Sequence, residues 1–199
     1  FFQITYQNQY TPTTANNKNH WEQLYSLINQ CNVIIQGVEN AASSGIISQE
    51  IADPYKGEAL FLRALAHHDL LLHFSRPYAD NPTTNLGVPY RTVATTSPNA
   101  VQENLSLPRG TVSEAYVNIL ADLDQAETLL PDDRAAADLS ISRATRGAAI
   151  AIKTRVKLHM ADYAGVITES TKLGANVAGT FSSPVGGYAL TASPVTPFT

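Results

Sequence analysis

Apolar positions along the chain fall into runs with a helical period, separated by stretches with none. Trp21, Leu24, Ile28, Cys31, Ile35 and Val38 step by three and four, which puts them on one stripe of a helix. Ser43, Ser44 and Gly45 break that pattern and end the helix near Ala42. A second run extends to about Phe74, with Asp53 as N-cap and Pro54 at the first helical position, and a short turn from Ser48 to Ala52 before it. Its apolar and small residues from Ala59 to Leu72 cover more than one face, as in a helix buried between neighbours on two sides.

The third helix has the clearest start. Thr111 followed three residues later by Glu114 reads as a capping box. The stripe Val112, Tyr116, Ile119, Leu123, Ala126 and Leu130 follows, and Pro131 stops it. A fourth helix begins after Ser142 and runs to about Met160, with small residues Ala144, Ala148, Ala149 and Ala151 that allow close helix approach. Asp162 caps a fifth from Tyr163 to Leu173, and Gly174 suits the left-handed position after it.

Three stretches lack such a period. Residues 1–20, rich in Gln, Asn and Thr with interspersed aromatics, read as an irregular lead-in. Residues 75–110 contain five prolines, and a loop longer than about 15 residues is usually functional or disordered. Residues 175–199 carry no charge, yet include Phe181, Val185, Tyr188, Leu190, Val195 and Phe198, which reads as an extended piece packed on something. The division expected is a helical domain over 1–174 and an extended segment over 175–199 that leads into a further portion.

Charge then narrows the function classes. The 199 residues hold 13 Lys plus Arg against 17 Asp plus Glu, a net charge of −4. The basic side chains are scattered, whereas binding a phosphate backbone needs them concentrated, so nucleic acid is not an expected partner. No run approaches the ~18 consecutive apolar residues of a membrane span.

Candidate chemistry is sparse. His67, His68, Asp69 and His73 form the densest metal-capable cluster, but Asp69 and His73 are its one pair at i, i+4. Within one helix that reads as partly buried polar groups, so no metal and no cofactor is expected. Cys31 lies on the apolar stripe and reads as a small core residue. Glu58 and Arg63, five apart, each hold a neighbouring helix or loop rather than each other. Neither Asp122 with Asp124 nor Asp132 with Asp133 resembles two carboxylates converging for glycoside hydrolysis, and no nucleophile motif is present. The expectation is a protein that is not an enzyme.

Helix starts near positions 20, 54, 111 and 144 make two pairs, each offset by about 34 residues, the length of a tetratricopeptide repeat. The expected fold is therefore all-α, with tetratricopeptide-like helical hairpins and long irregular loops. Several segments are more specific: Trp21-x2-Leu24-Tyr25-x2-Ile28-x2-Cys31-Asn32, Gly57-Glu58-Ala59-x-Phe61-Leu62-Arg63-Ala64, and Phe74-x2-Pro77-Tyr78 before Asn85-x-Gly87-Val88-Pro89. Then come Arg109-x-Thr111-Val112-x-Glu114-x-Tyr116-x2-Ile119, Asp122-Leu123-x2-Ala126 and Leu130-Pro131. Last are Arg143-x-Thr145-x2-Ala148-Ala149, Arg155-Val156-x-Leu158 and Asp162-Tyr163. In this order, over most of residues 20–170, they resemble the SusD/RagB family of outer-membrane nutrient-binding lipoproteins and its α-α superhelix.

The resemblance implies a non-catalytic glycan-binding protein at the cell outer membrane, facing outward. It implies a SusC-like TonB-dependent transporter as partner, a C-terminal half beyond these residues, and membrane association only through an N-terminal lipid anchor outside this sequence. Sugar faces pack on aromatic rings while hydroxyls need planar polar partners. Tyr6, Tyr10, Asn17 and Asn19 in the lead-in, with Tyr78, Asn81 and Asn85 in the proline-rich loop, offer that mixture and are the expected ligand contacts. Trp21, in the helical stripe, is expected in the core. The competing reading is a tetratricopeptide-like scaffold that binds a protein and no sugar.

Overall fold

The computed structural model describes residues 6, 7, 9, 11, 14–134, 142–175 and 182–189. Tyr10 lies outside the described residues. Six helices run through the described part: α1 (Ala15–Ser43), α2 (Gln49–Phe74), α3 (Pro98–Ser106), α4 (Val112–Leu129), α5 (Arg146–His159) and α6 (Tyr163–Lys172). Extended pairing among the described residues is limited to two isolated antiparallel bridges, Leu86 with Thr111 and Ser182 with Ala189. The all-α reading therefore holds.

Consecutive long helices pack as neighbours, α1 on α2, α2 on α4, α4 on α5 and α5 on α6. The main core lies where α1, α2 and α4 meet. Ile28, Ala64, Leu70, Val112, Tyr116, Ile119 and Leu123 are buried there, with Val88 from the connecting segment and Val156 from α5. A second cluster of Leu60, Ala126, Leu130 and Ala149 joins α2, α4 and α5. As a middle helix of the stack α2 buries residues on several faces, which is why its apolar pattern is broad.

Helix ends follow their local chemistry. Thr111 and Glu114 form the reciprocal capping box of α4, the Asp162 side chain accepts from Gly165 N–H at α6, and Gly174 sits at φ +84° after it. Three boundaries differ from the sequence reading. α1 begins at Ala15, so Asn17, Asn19 and His20 are helical rather than part of an irregular lead-in. α2 begins at Gln49 after Ser48 and is continuous, with Pro54 inside it. One missing N–H near the start of a long helix is tolerated when the apolar face beyond it is fully packed.

The third difference is in residues 75–110, which contain α3. Ser97 caps it, accepting from Ala100 N–H at 3.3 Å, and Pro98 occupies its first turn. Beyond α6, residues 182–189 form a tight turn, with Ser183 N–H donating to Tyr188 carbonyl at 2.7 Å. The Tyr188 hydroxyl lies 2.8 Å from Thr145 Oγ1 at the start of α5. Residues 176–181 and 190–199 of the expected extended segment lie outside the described residues.

Candidate functional site

A buried polar network fixes the middle of the 75–110 segment to three helices. Arg63 of α2 donates to Asp122 of α4 through two parallel bonds, Nε to Oδ2 at 2.8 Å and a terminal nitrogen to Oδ1 at 2.7 Å. Its other terminal nitrogen donates to Asn32 Oδ1 of α1 at 2.9 Å. The Asn32 amide donates in turn to the carbonyls of Arg91 and Val93. Tyr90 donates its hydroxyl to Asp122 Oδ2 at 2.6 Å, and Tyr25 donates to the Pro89 carbonyl at 3.0 Å. Charged hydrogen bonds of this bidentate kind are stronger than neutral ones and are oriented by the planar guanidinium.

His67 completes the lock. Its Nδ1 faces the Arg63 carbonyl at 2.9 Å, while Nε2 accepts from Arg91 N–H at 3.1 Å. A carbonyl only accepts, so the ring is neutral with its proton on Nδ1. Burial, helped by Arg63 and Arg91, pushes its pKa down to about 3. The Tyr90 ring stacks on it at 3.9 Å. Residues 88–94 are thus fastened to the core, with Val88 and Ala94 buried in it and Thr92 exposed.

The flank before this anchor is held by its backbone and displays its side chains. The first amides of α4 have no partners within the helix. Val112 N–H donates to Asn85 carbonyl at 2.9 Å, Ser113 N–H to Pro82 carbonyl at 2.8 Å, and Glu114 N–H to Thr111 Oγ1 at 3.1 Å. Gly87 is pressed against the same turn, and a Cβ there would lie 2.7 Å from the Thr111 carbonyl oxygen. Arg109 ties both ends of the flank, donating to the Gly87 and Phe74 carbonyls at 2.7 and 3.1 Å.

Two hollows border this fastened loop. One, of about 490 Å³, is lined by Phe74, Arg76, Thr84, Asn85, Leu86 and Arg109, with Ser75 whose buried Oγ has no hydrogen-bond partner. The other, of about 400 Å³, lies between Tyr90, Leu107, Arg109, Glu114, Val117 and Asn118. Arg109 lines both.

The expected contact residues divide as follows. Asn81 is exposed, in the left-handed region at φ 49° that asparagine tolerates. Asn85 lines the first hollow, although its amide is engaged with the Asp80 carbonyl. Tyr78 is half-buried, its ring edge-on to Tyr116 at 5.0 Å. Asn17 and Asn19 lie on the first turns of α1, beside the end of α2, because a five-residue connection makes the two helices antiparallel. Tyr6 is 88% exposed. Trp21 packs on Tyr25 and Phe74 and contributes to the core, as its stripe predicts. Thr84, Leu86 and Arg109, which line the first hollow, were not among the expected contacts, since nothing in their spacing shows that they meet.

Residues 2–158 match the family described as "Starch-binding associating with outer membrane", a SusD-like family. The chain belongs to this SusD-like family. Among solved structures, a SusD superfamily protein from Bacteroides fragilis is 32% identical with a TM-score of 0.75, covering 85% of this chain and 37% of that one. A SusD-like carbohydrate binding protein from Bacteroides vulgatus is 25% identical with a TM-score of 0.64, covering 81% and 32%. A laminarin binding SusD-like protein shares the fold at 21% identity, with a TM-score of 0.66, covering 86% and 32%. The chain spans about a third of the length of these solved relatives. No curated protein sequence matches it. No helix among the described residues is long and apolar enough to cross a membrane.

Proposed function

We propose that this chain is the helical part of a non-catalytic SusD-like protein that captures glycan at the outside of the outer membrane. The observation that carries the reading is the construction of the 75–110 segment. Its middle is locked into the core by Arg63, Asp122, Asn32 and His67, so the side chains on either flank are displayed from a rigid frame. Preorganised polar and aromatic groups lose little freedom when they take up a polyhydroxylated ligand. Tyr78, Asn81 and Asn85, with Tyr6, Tyr10, Asn17 and Asn19 at the same end of the first hairpin or ahead of it, remain the proposed contacts. The guanidinium groups of Arg76 and Arg109 join them. The family's description and the carbohydrate- and laminarin-binding relatives support glycan as the ligand class.

Delivery follows from the same reading: a lipid-anchored protein hands its ligand to a SusC-like TonB-dependent transporter, and helix faces of the frame meet that partner. The test is calorimetric titration of the full-length protein with a panel of storage and cell-wall polysaccharides. At least one glycan is expected to bind, and Arg76→Ala or Asn81→Ala is expected to weaken it with helical content unchanged. If no glycan gives heat, the reading fails in favour of a protein-binding scaffold.

A further inference from the structure

Arg109 is a cation without a counter-ion. Arg63, Arg76, Arg134, Arg143 and Arg146 each pair with a carboxylate. Arg109 makes no such pair among the described residues. Its Nε and Nη2 donate to the backbone carbonyls of Gly87 and Phe74, which are neutral acceptors. These bonds use one edge of the guanidinium and hold its plane. Nη1 bonds to nothing among the described residues, and the side chain is exposed. A guanidinium stays charged at any ordinary pH, so a fixed, oriented positive charge remains open to a ligand.

The surroundings of Arg109 favour an anion. The hollow of about 490 Å³ that it lines has no carboxylate among its lining residues. Arg76 lines the same hollow; it pairs with Asp80 at 2.6 Å, yet its side chain is 70% exposed. The buried Ser75 hydroxyl there has no hydrogen-bond partner among the described residues and can donate to an incoming oxygen. Glu114 lines the second hollow, where its Oε2 accepts from the Thr111 amide at 2.7 Å and faces the Thr111 hydroxyl at 3.0 Å. A concave wall around an uncompensated charge concentrates its field relative to an open surface. Because the whole chain carries a net charge of −4, the attraction is local to this hollow.

We propose that the hollow at Arg109 selects glycans bearing an anionic substituent, a uronate carboxylate or a sulfate ester. Both groups present paired oxygens that match a guanidinium fork. Thr84, Asn85 and Ser75 meet the sugar hydroxyls beside it. The inference rests on the glycan-capture reading above and specifies the class of glycan that this site takes.

The test is calorimetric titration of the full-length protein with matched pairs of ligands. Oligogalacturonate and alginate oligomers are compared with their carboxyl-reduced forms, and sulfated galactan oligomers with their desulfated form, which separates the two sources of charge. A neutral glucan and a neutral galactan complete the set. At least one anionic member is expected to bind about tenfold or more tighter than its neutral twin, an advantage that shrinks as NaCl rises from about 0.02 M to about 0.5 M. Arg109→Gln is expected to bring the two members to within about twofold, whereas Arg155→Gln leaves the preference intact. Arg155 also lacks an ion pair among the described residues but lines neither hollow. The comparison of twins on the unaltered protein needs no variant to fold. If neutral glycans bind and no anionic member exceeds its twin, the inference is overturned while glycan capture stands. A preference undiminished in Arg109→Gln also overturns it. If no glycan of either kind gives heat, both readings fall.

Discussion

Asp122→Ala isolates the lock that makes the loop rigid. Asp122 accepts both bonds from Arg63 and the hydroxyl bond from Tyr90, and both members of the ion pair are under 10% exposed. Removing the carboxylate leaves a buried guanidinium whose remaining hydrogen-bond partner among the described residues is the neutral Asn32 side chain. Breaking a buried pair from one side costs about 3–5 kcal/mol. Tyr90 keeps a 3.2 Å bond to the Asn118 carbonyl, so its loss adds little to that range. Urea unfolding of the full-length protein, followed by circular dichroism, should show a destabilisation of about 3–5 kcal/mol, with faster exchange of the Arg91 amide that His67 holds. The double variant Arg63→Met with Asp122→Leu should recover most of that stability, because the desolvation burden disappears with the charges. A single-variant effect below about 1 kcal/mol, the size of an exposed pair, would refute the claim that this network anchors the segment.

Three further outcomes follow from the same contacts. Gly87→Ala should destabilise the protein by about 1–3 kcal/mol in the same assay, because its new methyl group meets the Thr111 carbonyl and parts the flank from α4. Acid should weaken the fold early: burial holds His67 near pKa 3 and His68 near 4 against an unfolded value of about 6.5, so the unfolded chain binds more protons. Stability is then full above pH 6.5 and falls by about 1.4 kcal/mol per unit for each imidazole as pH drops toward 4, which urea midpoints at pH 7, 6 and 5 measure. Cys31, buried with its thiol pushed up to about 11, should resist a thiol-reactive dye until the protein is denatured.

The helices were legible wherever local chemistry marks them. The Thr111–Glu114 box, the α4 stripe and the Asp162 cap each carry their information within one or two turns. α1 starts earlier than its apolar stripe because its first turns are polar, so no apolar periodicity announces them. α3 was hidden by the prolines around it, although Ser97 before Pro98 is itself a start signal. What the chain order cannot display is convergence. Asn32, Arg63, Tyr90 and Asp122 come from four separate segments, and only packing shows that the long loop is fastened rather than free. The same holds for Arg76 and Arg109, which line one hollow. The aromatic and amide residues proposed for glycan are legible by type alone, whereas the hollow that Asn85 lines depends on Arg109 reaching back to Gly87 and Phe74.

Hydrogen exchange of the full-length protein, with and without the glycan selected by the titration panel, measures the central claim directly. The account predicts new protection in residues 75–86 and 107–110, with the Arg91 amide and the helices already protected and unchanged. Protection newly appearing at the Arg91 amide, or nowhere along 75–110, would contradict it.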